Sequence, residues 1–96
     1  MLLQIDPTKY KTARSFIIAF INENRANRRR FSMRVLSREL NWPLGLASDI
    51  IANRKGFSVN RAIQICEYFD YTAEKKNRLI LLALKSLKYP VSDLIA

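Results

Sequence analysis

Residues 41–56 read NWPLGLASDIIANRKG, and both glycines of the chain and one of its three prolines fall inside them. The stretch follows a charged helical segment, breaks at Asn41-Trp42-Pro43, and resumes a helical pattern as far as Arg54-Lys55-Gly56. Two short helices meeting steeply through a turn of about three or four residues form a helix-turn-helix. The chemistry of the break suits such a turn. After Gly, Asn is the residue that best tolerates the left-handed region, and Asn41 holds that place. Trp42 follows as an apolar plug for the core, and Pro43 presets φ at the mouth of the next helix. Small residues are needed where the two helices cross, and Ser37 and Ala47 sit there. Spacing alone leaves an equal alternative, an αα-hairpin that only builds a core.

Outward from the break, Asp6-Pro7 offers an N-cap carboxylate and a proline at the first helical position. Ala13, Phe16, Ile17, Phe20 and Ile21 then recur on one face, giving helix 1 over about 7–26. Ser32 caps helix 2, about 33–40, with Val35, Leu36 and Leu40 inward. Helix 3 runs from Pro43 or Leu44 to Ala52 with Ala47 and Ile50 inward. Ser58 caps helix 4, whose inward face is Val59, Ala62, Ile63, Cys66 and Phe69. Thr72 caps helix 5, Ala73 to about Lys88, ended by Tyr89-Pro90. No segment alternates as a strand. The expected class is all-α, a compact five-helix domain spanning 1–96.

A chain of 96 residues buries roughly two thirds of the surface it exposes when unfolded. No apolar run nears the roughly 20 residues of a membrane span. The opening MLLQIDPTKY lacks the regions of a signal peptide, so a cytoplasmic location is expected. Cys66 is the single cysteine and histidine is absent, which excludes an internal disulfide and leaves zinc without a ligand set. The usual general base and triads are missing, the eight carboxylates are scattered, and no Gly-rich phosphate loop is present. The expectation is a protein that is not an enzyme and needs no cofactor or metal. Its net charge of +9 points to a polyanion or acidic surface. Arg25 to Arg38 contain six arginines and no acid.

Residues 31–71, FSMRVLSRELNWPLGLASDIIANRKGFSVNRAIQICEYFDY, resemble the helix-turn-helix domain of the λ-repressor-like (Cro/CI) family. More closely, residues 8 to about 88 are similar to the amino-terminal region of a bacterial family that opens with such a domain. The matching features are the aromatic-rich Tyr10–Ile21 segment, Phe31-Ser32, Ser48-Asp49-Ile50-Ile51 and Arg54-Lys55-Gly56-Phe57-Ser58. The resemblance implies a sequence-specific transcriptional regulator bound to double-stranded DNA. Helix 3 would then enter the major groove, and the amino ends of helices 2 and 3 would face phosphates. On the family pattern Leu44, Gly45, Ser48 and Asp49 face base edges, with Asn53, Arg54 and Lys55 just beyond. Phosphate contacts would come from Arg29, Arg30, Ser32 and Arg34 on one shoulder and Asn53, Arg54 and Lys55 on the other.

Those base-facing positions depart from a strong reader, because no Arg, Gln or Asn occupies the first two turns of helix 3. Leu44 and Leu46 suit thymine methyls and Ser48 one hydrogen bond. Arg28 to Arg30 also read as a solvated run against the carboxyl end of helix 1. Cys66 reads as a small buried hydrophobe and Trp42 as core. Helix 5 is apolar almost all round, so Leu81, Leu84 and Leu87 suggest a dimer partner or another domain. Two rivals stay open: a protein-interaction module that lost base readout and uses Leu44, Leu46 and Ile51, and a nonspecific nucleic-acid binder.

Overall fold

In the computed structural model, residues 2–28 and 30–87 are described. Five α-helices follow one another: α1 (Ala13–Asn27), α2 (Met33–Leu40), α3 (Leu46–Ile51), α4 (Val59–Phe69) and α5 (Ala73–Ser86). No strand occurs among the described residues, and the Cα radius of gyration is 13.2 Å, near the 12–13 Å or so expected of a compact chain this long. The core is built on Phe16, Phe20, Phe57, Leu36, Ile65, Leu79 and Leu82, all fully buried. α5 lies against α4 and α1, and α3 lies against α1 and α2.

Helix 1 starts later than the Asp6-Pro7 signal suggests. Asp6 does cap, accepting from Thr8 N at 2.9 Å, but it caps a single 3₁₀ turn over Pro7–Lys9. Tyr10 is extended, and its carbonyl accepts from Arg78 Nη2 at 2.9 Å instead of from a helical amide. Thr12 then opens α1 with a reciprocal capping box to Ser15. Tyr89 and Pro90, the expected stop of helix 5, lie outside the described residues; α5 has already ended at Ser86.

Ahead of α1 the chain forms an arm stitched to the helices. Asn24, fully buried, accepts from Leu3 N at 2.7 Å and donates to Leu3 O at 3.1 Å, so its amide pairs with that backbone as a strand would. Tyr68 donates to Glu39 and accepts from Leu2 N, while Tyr71 donates to Ile5 O at 2.6 Å.

On α4 the inward stripe lies beside the expected one. Ala62 and Cys66 are buried, Val59 and Phe69 line the core half-buried, and Ile65 rather than Ile63 is fully buried. Val35 on α2 is half-buried. Helix α3 begins at Leu46, two to three residues after the expected Pro43 or Leu44, because Gly45 sits at φ 89°, outside helical backbone.

Candidate nucleic-acid interface

The α2–α3 connection takes its shape from Asn41. Asn41 has φ 56° and ψ 43°, the left-handed conformation expected of it. Trp42 N donates to Ser37 O at 2.8 Å and Asn41 N to Arg38 O at 3.3 Å, the paired bonds of a Schellman cap. That reversal drives the Trp42 ring inward to 5% exposure, beside Phe57 at 6.2 Å between centroids. Its indole N–H reaches Gln64 Oε1 on α4 at 2.9 Å. The turn is thereby bolted to α4, and Ser37 and Ala47 are both buried where α2 meets α3.

The outer side of α3 presents Leu44, 71% exposed, with Gly45 and Ser48 also exposed. Leu46 and Ile51 are half-buried and lie against the core. Of the three side chains a protein-binding α3 was expected to use, only Leu44 stands clear. α3 has six residues and no side-chain cap. One and a half turns sum too few peptide dipoles to hold a phosphate at their amino end, so that part of the expectation falls on α2 alone. There Ser32 Oγ accepts from Val35 N at 3.2 Å and Ser32 O from Leu36 N at 3.1 Å. The two amides before them, of Met33 and Arg34, have no acceptor within the helix. Arg30 and Arg34 are exposed beside them. Arg29 lies outside the described residues.

On the other shoulder Asn53 adopts φ 63° and ends α3 with a second Schellman pair, Asn53 N to Ile50 O at 3.1 Å and Arg54 N to Asp49 O at 2.8 Å. This turn folds Arg54 and Lys55 back onto α3. Arg54 Nε meets Asp49 Oδ1 at 2.9 Å and Lys55 Nζ lies 3.7 Å from Asp49 Oδ2. The hydrogen bond from Arg54, aided by the charges of Arg54 and Lys55, holds the Asp49 carboxyl below its ordinary value. Asp49, expected at a base edge, is the counter-ion of two residues expected on phosphates. No sequence signal marked this pair, because Asp49 and Arg54 stand five positions apart and only the left-handed Asn53 brings them together.

On α5, Leu81 and Leu84 are 41% and 52% exposed. Leu87 is half-buried and turns toward the α3–α4 connection, where its Cδ2 would lie 3.4 Å from a Cβ on Gly56. The Cys66 thiol is free and buried, and burial pushes its pKa up. Among the described residues no group of His, Cys, Asp and Glu could hold a metal ion, and no helix is long and apolar enough to cross a membrane. Comparisons with known protein families, with curated proteins and with solved structures give no match.

Proposed function

We propose that the chain is a helix-turn-helix protein that binds double-stranded DNA, and that it regulates transcription by binding rather than catalysis. The observation that carries this reading is the α2–α3 unit. A left-handed Asn41 and a buried Trp42 fix the two helices, and Leu44, Gly45 and Ser48 are exposed on the outer side of α3, with basic residues before α2 and after α3. Arg30, Arg34 and the α2 amino end form the first shoulder; Arg54 and Lys55 form the second. Base recognition rests on Leu44 against a thymine methyl and one hydrogen bond from Ser48, so sequence preference is modest and phosphate contact supplies most of the affinity. The pairing of Asp49 with Arg54 makes the first shoulder the stronger grip.

Selection of bound duplexes from a random pool at physiological salt tests the reading, and an enriched motif is expected. Log–log salt dependence should have a slope of about −0.9 per phosphate neutralised. Arg34→Ala should flatten that slope by roughly one unit for all sequences alike, whereas Ser48→Ala should change which sequences are preferred. A slope near zero, or no duplex binding at low salt, would sink the proposal. The exposure of Leu44 favours one second reading, a protein contact on the same face. That reading predicts loss of partner binding in Leu44→Asp with no effect of salt.

A further inference from the structure

A cleft of about 510 Å³ opens between the start of α1, the α3–α4 connection and the end of α5. Its floor is formed by the half-buried Gly56 and Leu87, with the buried Ile50, Phe57 and Leu82 beneath them. Lys11, Arg14, Lys55 and Lys85 line it, and no carboxylate does among the described residues. Neither Lys11 nor Lys85 has an ion-pair partner among those residues, and only Lys55 is close to an acid, Asp49. Arg14 is aimed by a bond from its Nε to Ile51 O at 2.5 Å, and neither terminal amino group of its guanidinium has a hydrogen-bond partner among the described residues. Cations gathered around a concavity repel one another unless an anion sits among them. An apolar floor under a polar rim is the usual build of a small-molecule site.

We propose that this cleft binds a small organic phosphate, a phosphomonoester whose ring or apolar body rests on Leu87 and Gly56 while its phosphate meets Lys11, Arg14 and Lys85. This site is separate from the α3 outer face and does not depend on it. Where the DNA reading also holds, Lys55 belongs to both sites, and the small ligand weakens the grip of that shoulder on DNA.

The test uses the whole chain without DNA, at low ionic strength, with phenyl phosphate and adenosine monophosphate as probes and adenosine and inorganic phosphate as controls. Calorimetry should show at least one phosphomonoester binding ten-fold or more tighter than adenosine and than inorganic phosphate. The double variant Lys11→Ala/Lys85→Ala changes only exposed side chains, so it should keep the melting temperature while losing affinity for the probe ten-fold or more. Arg34→Ala, on the far shoulder, should leave probe binding unchanged. The proposal is overturned if neither phosphomonoester outbinds adenosine, or if Arg34→Ala weakens the probe as much as the cleft variant does, which would mark diffuse attraction. It is overturned also if the cleft variant loses duplex affinity while the free protein binds no probe, since the cleft would then be a contact for a backbone phosphate of DNA. Because probe binding is measured without DNA, its failure and that of the DNA reading are told apart.

Discussion

Asn41, Asn53 and Asp70 are the non-glycine residues with positive φ among those described, and each ends a helix. Asn and Asp tolerate this region because a short polar side chain can satisfy itself locally. At Asn41, replacement by Gly should leave stability within a few tenths of a kcal/mol, whereas a β-branched Val should cost about 1 kcal/mol or more, both read from denaturant midpoints. Equal midpoints for the two variants would contradict the turn. At Asp49 the consequence is electrostatic. Its folded pKa lies below the ordinary carboxylate value, so its contribution to stability is present above that value and lost as pH falls through the depressed one. Wild type and Asp49→Asn should therefore differ at neutral pH and converge in acid, as followed by thermal melts across pH. The same substitution releases Arg54 and Lys55. Filter binding should show Asp49→Asn holding duplex DNA more tightly at low salt, with a log–log slope steeper by about one to two units.

At the scale of elements, the two glycines do different work. Gly45 stands at φ 89° with open space where a Cβ would go, so only its backbone constrains it; a Cβ on Gly56 would lie 3.0 Å from Ser86 O, so a neighbour constrains it. Gly45→Ala should cost about 1–2 kcal/mol, and Gly45→Asn should recover most of that because Asn accepts positive φ. At Gly56 the cost of Ala should be about 1–3 kcal/mol and Asn should be worse, since it adds bulk against a backbone carbonyl. Urea titrations of the four variants separate the two causes. This contrast also marks what was legible in the sequence. The five helices, the Ser32, Ser58 and Thr72 caps and the Asn41 turn are local properties and could be read directly. The start of α3 was misplaced because Pro43 and Leu44 satisfy a helical pattern that Gly45 then breaks in three dimensions. The α4 stripe was ambiguous because Ile63, Ile65 and Cys66 allow two faces, and only packing against α1, α2 and α5 decides between them. Around the α2–α3 turn the exposure of Leu44, Gly45 and Ser48 was legible, and that of Asp49 was not. The Asp49–Arg54 pair and the cleft above Phe57 were not, because each is made by parts of the chain that meet only after folding.

For the whole molecule, the outer face of α5 leaves Leu81 and Leu84 exposed, with Leu87 withdrawn toward Gly56. If copies associate there, Leu81→Glu/Leu84→Glu should yield monomers in sedimentation at high micromolar concentration, with the melting temperature of the monomer preserved. Half-sites in any selected motif should then lie about 10 base pairs apart or at a multiple of that. Wild type sedimenting as a monomer under those conditions would remove the idea. The arm ahead of α1 acts over the longest reach, since Leu2 joins Tyr68 and Ile5 joins Tyr71 across 66 positions of sequence. Such bonds close only after α4 is in place, and they open more easily than the core, because an arm end frays at little cost. The Leu2 and Leu3 amides should therefore exchange with deuterium well ahead of those of Leu79 and Leu82. Tyr68→Phe should speed Leu2 further while leaving the α5 amides unchanged. Isotope exchange at two leucines would then act as a clock for local opening, running independently of the global unfolding that governs the rest of the chain.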